Sequence, residues 1–79
     1  MKELHQKIGA MAAETVKLAL ASGLSWDEAV AALGVASKAL AVQASKQGDG
    51  AQADCVAHAA KRFTEGMKQD MDVLTSARH

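Results

Sequence analysis

The chain has 79 residues, with nine basic and nine acidic side chains and a single cysteine. This length allows one domain, and one cysteine excludes an intrachain disulfide. The balanced charge argues against a partner that is held mainly through its phosphates, so we expect no nucleic-acid partner. Charged residues interrupt the apolar stretch near the N-terminus, and no apolar run is long enough to span a bilayer. We therefore expect a cytoplasmic protein that does not enter a membrane.

Residue composition favours helices throughout. Proline is absent, and the best helix formers dominate the sequence. Apolar spacing predicts one all-α domain over residues 1–79, with helices at about 2–22, 26–47 and 50–76. Because both connections are short, we expect a three-helix antiparallel bundle, or an open helical array, that dimerisation completes.

The first predicted helix carries one narrow apolar stripe. Its members recur at alternating spacings of four and three residues, the pattern of a heptad repeat: Leu4, Ile8, Met11, Thr15 and Leu18. Gly23 is well placed as the left-handed residue that ends the helix.

The second predicted helix begins with a capping box. Ser25 is a favourable N-cap, and Glu28 follows three residues later, where its carboxylate can accept from the Ser25 N–H. Gly48 is expected to end this helix. The expected core stripe consists of Trp26, Val30, Leu33, Leu40 and Ala44, with Ala36 or Ser37 in between.

The third predicted helix has a similar start signal. Asp49 precedes Gln52 by three residues, which again matches a capping box. The expected apolar stripe of this helix consists of Ala53, Val56, Ala57, Ala60, Phe63, Met67, Met71 and Leu74.

A glycine inside the second helix leaves two interpretations open. The tripeptide Leu33-Gly34-Val35 resembles the turn of bacterial repressor-type helix-turn-helix units. That resemblance implies a small DNA-binding transcriptional regulator. Its second helix would present side chains to the groove, among them Ser37, Lys38, Gln43 and Lys46. This set lacks Arg and Asn and reads bases poorly. Alternatively, Gly34 lies within one continuous helix and allows another helix to approach closely.

The one pair of residues that suggests chemistry is Cys55 with His58. Their spacing places both on one side of a helix, where an imidazole could activate a thiol. Nucleophilic catalysis also requires an oriented base and oxyanion donors, and a metal site requires further ligands. The sequence offers few loops to supply them. We therefore predict no enzymatic activity, no cofactor and no metal.

The apolar content predicts a thin core. It reaches 49%, but 18 of those residues are alanine, which contributes little buried area. Because no disulfide or metal compensates, we expect a homodimer. The third helix is the preferred interface, and the first is the other candidate.

These exclusions predict a protein-interaction function. We expect a small non-enzymatic module, a bacterial or phage accessory regulator, inhibitor or adaptor, that binds a protein partner. The candidate partner-binding residues are large and apolar: Trp26, Phe63, Met67 and Met71. Trp26 fits a lid over the core equally well.

Overall fold

The computed structural model describes residues 2–76, which form helices and no strand: α1 (Lys2–Ala21), α2 (Trp26–Lys46), α3 (Gln52–Met67) and α4 (Asp72–Ser76). The all-α class is confirmed. α1 and α2 begin and end close to their predicted positions. α3 starts later than predicted and ends much earlier. No helix within residues 2–76 combines the length and apolarity that crossing a bilayer requires.

The chain divides into two compact units. The first unit comprises Met1–Ala29 and Gln69–His79, and in it α1 packs against α4. The second unit comprises Val30–Lys68, which contains most of α2 and all of α3.

The predicted capping box is present at the start of α2. The Ser25 N–H donates to Glu28 Oε1 at 2.9 Å, and the Glu28 N–H donates to Ser25 Oγ at 3.3 Å. The Ser25 hydroxyl donates in turn to Asp27 Oδ1 at 2.6 Å. Two backbone donors that a helix start leaves unpaired are thus satisfied by local side chains.

Glycines end both of the first two helices, as predicted. Gly23, which follows α1, has φ +82°. Gly48, which follows α2, has φ +92°, and its N–H donates to the Ser45 carbonyl at 3.1 Å. The Asp49 N–H donates to the Ala44 carbonyl at 3.1 Å. This pair of bonds is a Schellman motif, whose C′ residue must tolerate positive φ.

The predicted start of α3 is wrong. Asp49 is not the cap, because the helix begins at Gln52 and Ala51 occupies the N-cap position with an extended backbone. No side chain accepts a hydrogen bond there. The two glycines Gly48 and Gly50 both have positive φ, so the chain is still turning where Asp49 lies.

The predicted end of α3 is also wrong. The helix stops at Met67 rather than near residue 76, and the Lys68 N–H donates to the Glu65 carbonyl at 3.1 Å. A separate short helix, α4, then begins after Asp70, whose Oδ1 accepts from the Asp72 N–H at 3.2 Å. The local Asp70 acceptor competes with continuation of α3, as aspartate commonly does at helix starts.

α2 runs without interruption through Gly34, so the helix-turn-helix interpretation of Leu33-Gly34-Val35 is wrong. Positive φ among the glycines of the described chain occurs at Gly23, Gly48 and Gly50, and Gly34 is not one of them. A single glycine inside a helix costs about 1 kcal/mol, which the alanine-rich sequence on either side offsets. A Cβ at Gly34 would meet nothing within 4 Å, so no close helix approach requires this glycine either.

The predicted core stripe of α2 is wrong in part. The buried apolar side chains among the described residues are Ala29 and Ala41, and α1 buries Gly9. Trp26, which the periodicity assigned to the core, is 81% exposed. Leu33, Ser37 and Ala44 of that stripe are half-buried. The other large apolar side chains of the predicted stripes of α1 and α2 are exposed: Leu4, Ile8, Met11, Leu18, Val30 and Leu40.

Candidate functional site

The second unit contains an open groove between α2 and α3. Its volume is about 310 Å³. Gly34, Ser37 and Lys38 line it from α2, and α3 contributes Val56, Ala59, Ala60, Phe63 and Thr64. Spacings of three and four residues place each set on one side of its helix. We call this feature the α2–α3 groove.

The surface of the groove is more apolar than its residue names suggest. The Ser37 hydroxyl donates to the Leu33 carbonyl at 2.8 Å, and the Thr64 hydroxyl donates to the Ala60 carbonyl at 3.0 Å. Both hydroxyl protons are therefore committed within their own helices. Lys38 is exposed at the groove and contributes the one charged side chain of its lining. An apolar cleft with one cation suits a helical or extended protein segment better than a small polar substrate.

The four predicted partner-binding residues fall in different places. Phe63 lines the groove and is 36% exposed, and Met67, the last residue of α3, is 72% exposed. Trp26 and Met71 belong to the first unit. Met71 lies in the turn before α4 rather than on α3, so the long third-helix stripe that would have included it is interrupted.

The residues assigned to the DNA-binding alternative lie on one uninterrupted helix. Ser37 and Lys38 face the α2–α3 groove, whereas Gln43 and Lys46 are exposed toward the end of α2 and do not line it. Without a turn, these residues do not form the separate second helix that the helix-turn-helix interpretation required.

A second surface runs along α1 in the first unit. The predicted heptad stripe of α1 is largely exposed: Leu4, Ile8, Met11 and Leu18 are each at least half exposed, and Leu18 reaches 73%. Thr15 is half-buried, and its hydroxyl donates to the Met11 carbonyl at 2.7 Å, which leaves its methyl group for the stripe. The buried Gly9 lies on the other side of the helix, at about 100° per residue. We call the five stripe residues the α1 seam.

Cys55 and His58, the pair that suggested chemistry in the sequence, both lie on α3. Cys55 is half-buried beneath the preceding loop, where a Cβ at Gly50 would lie 3.6 Å from its sulfur. His58 is exposed. Over residues 2–76, no three His, Cys, Asp or Glu side chains are grouped in a way that could hold a metal ion.

Two carboxyl groups at the start of α2 have lowered pKa values. The hydrogen bond from the Ser25 hydroxyl holds the pKa of Asp27 below its ordinary value. The bond from the Ser25 backbone N–H, followed by that with its hydroxyl, lowers the pKa of Glu28. Both carboxylates are exposed, and these shifts describe a helix cap rather than a catalytic centre.

Sequence reasoning missed the groove itself. Gly34, Val56, Ala59, Ala60 and Thr64 were not assigned to a binding surface, although their helical spacing was visible. Apolar periodicity marks a helix face but does not say whether that face is covered.

The chain matches no family model, and neither the curated proteins nor the solved structures include one detectably similar to it.

Proposed function

We propose that this chain is a small non-enzymatic helical module that acts by binding protein, as an accessory regulator, inhibitor or adaptor. One observation carries the proposal: large apolar side chains lie on the surface, while the buried apolar side chains among the residues that the structure describes are two alanines. Contiguous exposed apolar surface is uncommon in chains that work alone and is typical of interaction sites.

Self-association is part of this proposed function. Among the residues that the structure describes, large apolar side chains are exposed on α1 and on α3. A symmetric homodimer would cover part of this surface and leave the rest for another protein.

The α2–α3 groove, with Phe63 in its wall, is the proposed partner site, and Met67, one helical turn further along α3, is a proposed further contact. Aromatic and methionine side chains are enriched at interfaces because they bury large, adaptable apolar surface. Trp26 and Met71 are proposed as further contacts of the first unit.

Affinity capture tests this function. The tagged chain is used to capture proteins from a nuclease-treated lysate of the source cell, and each captured protein is then purified and titrated against it. We expect a direct protein partner whose affinity falls at least tenfold with Phe63→Lys. Leu20→Lys is the control, because Leu20 is also apolar and exposed but does not line the groove.

Two outcomes would contradict the proposal. Equal loss of affinity with both lysine variants would remove the groove as the site. Capture that disappears on nuclease treatment, together with submicromolar binding to a duplex at about 150 mM salt, would make nucleic acid the partner, since non-specific DNA binding is far weaker at that salt.

A further inference from the structure

We propose that α1 pairs with α1 of a second copy of this chain, as an antiparallel two-helix coiled coil whose core is the α1 seam. This proposal deepens the self-association described above by naming the surface and the orientation. It replaces the third helix, which the sequence favoured as the dimer interface.

The seam has the register that a coiled coil requires. In heptad notation, Ile8 and Thr15 take position a, whereas Leu4, Met11 and Leu18 take position d. An a/d stripe of this kind is covered when each side chain inserts between four residues of a facing helix. Four of the five members are at least half exposed, so within the single chain the seam lacks that cover. The adjoining e positions include Ala12 and Ala19, whose small side chains let a second helix approach closely.

Charge selects a second copy of the same chain in one orientation. The g positions beside the seam are Lys7 and Glu14, and both side chains are exposed. In an antiparallel pair, g positions face g positions across the interface. A two-fold axis then sets Lys7 opposite Glu14 of the partner subunit, and Glu14 opposite Lys7 of the partner subunit. The same patch is thus complementary to itself, which is the requirement for a symmetric dimer.

The alternative registers are disfavoured by the same charges. Sliding one helix by a heptad in either direction brings Lys7 against Lys7 of the partner subunit or Glu14 against Glu14 of the partner subunit. In a parallel pair, g positions face e positions, so Lys7 and Glu14 would each lie opposite an alanine of the second copy. The favoured register packs Ile8 on Met11 of the partner subunit and Leu4 on Thr15 of the partner subunit. Its Glu14 must exchange its present bond to Lys17, an exposed contact of 3.3 Å.

Charge-reversal variants test the orientation in the full chain. Lys7→Glu makes both g positions acidic, and Glu14→Lys makes both basic. Each variant alone should weaken its homodimer about tenfold in analytical ultracentrifugation, because two attractive pairs become repulsive. When mixed, the two variants should form a heterodimer in preference to either homodimer, as native mass spectrometry would show. The preference should decrease with added salt, since the charges are exposed.

A second pair of variants tests the surface. Ile8→Lys should convert the dimer to an 8.2 kDa monomer, whereas Leu20→Lys, an exposed apolar residue of α1 outside the seam, should leave it dimeric. Circular dichroism establishes that each variant keeps its helices. A dimer that survives Ile8→Lys would overturn the seam, and variants that mix without preference would overturn the antiparallel register. A wild-type monomer at high micromolar concentration would overturn self-association while leaving the lysate result for the partner site intact.

Discussion

The starts of α2 and α3 are built differently although the sequence marks them alike. Each start offers an acceptor side chain followed three residues later by Glu or Gln. At α2 this signal forms the capping box of Ser25 and Glu28, with both bonds present. At α3 the corresponding Asp49 is bypassed, and Ala51 holds the N-cap position with no side-chain bond.

The difference lies in what precedes each start. Before α2, Gly23 provides the one positive φ, two residues ahead of Ser25. Before α3, Gly48 and Gly50 both adopt positive φ, and Asp49 is held between them while its N–H completes the Schellman motif of α2. A capping signal therefore acts only where the preceding turn has finished. A sequence motif does not report that condition.

The largest expected effect is the loss of the α2 cap. Ser25→Ala should lower the free energy of unfolding by about 1 kcal/mol, because the N-cap acceptor for the Glu28 N–H is removed. Urea denaturation followed by circular dichroism measures the change. Ser25→Asp, which keeps an acceptor oxygen, should stay close to wild type. An unchanged midpoint in the alanine variant would remove the distinction between the two helix starts.

A cap added to α3 should have a somewhat smaller effect in the opposite direction. Ala51→Ser places a hydroxyl at an N-cap that already has the extended backbone such residues adopt, with φ −66° and ψ 147°. We expect stabilisation of about 0.5–1 kcal/mol. Ala53→Ser, placed inside the first turn, is the control and should give no gain. Equal responses of the two variants would show that residue 51 is not the cap in solution.

The smallest expected effect is the acid sensitivity of the α2 start. The pKa of Glu28 is lowered by its bonds with Ser25, so its contribution to stability is complete above the ordinary pKa of a glutamate and is lost as pH falls below that value. Glu28→Gln keeps an acceptor oxygen but does not titrate. Wild type should be the more stable at pH 7, and the two should converge near pH 3. Denaturation curves whose difference is the same at both pH values would contradict this assignment.

Local signals in the sequence determined much of the fold. The all-α class, the end of α1 at Gly23 and the end of α2 at Gly48 follow from helix propensity and from the freedom of glycine at positive φ. The capping box of Ser25 and Glu28 follows from contacts within four residues. Each of these features depends on side chains and backbone close together in the chain, and so each is readable from spacing.

Only the tertiary structure decided which helix faces are covered. The seam of Leu4, Ile8, Met11, Thr15 and Leu18 was correctly seen as one stripe, yet it lies largely exposed, while Gly9, Ala29 and Ala41 are buried. Apolar periodicity shows which residues share one face of a helix. Which face then packs against a neighbouring helix depends on the shape of that neighbour. The same reason explains why the α2–α3 groove around Phe63 was not foreseen, because it is formed by residues distant in sequence.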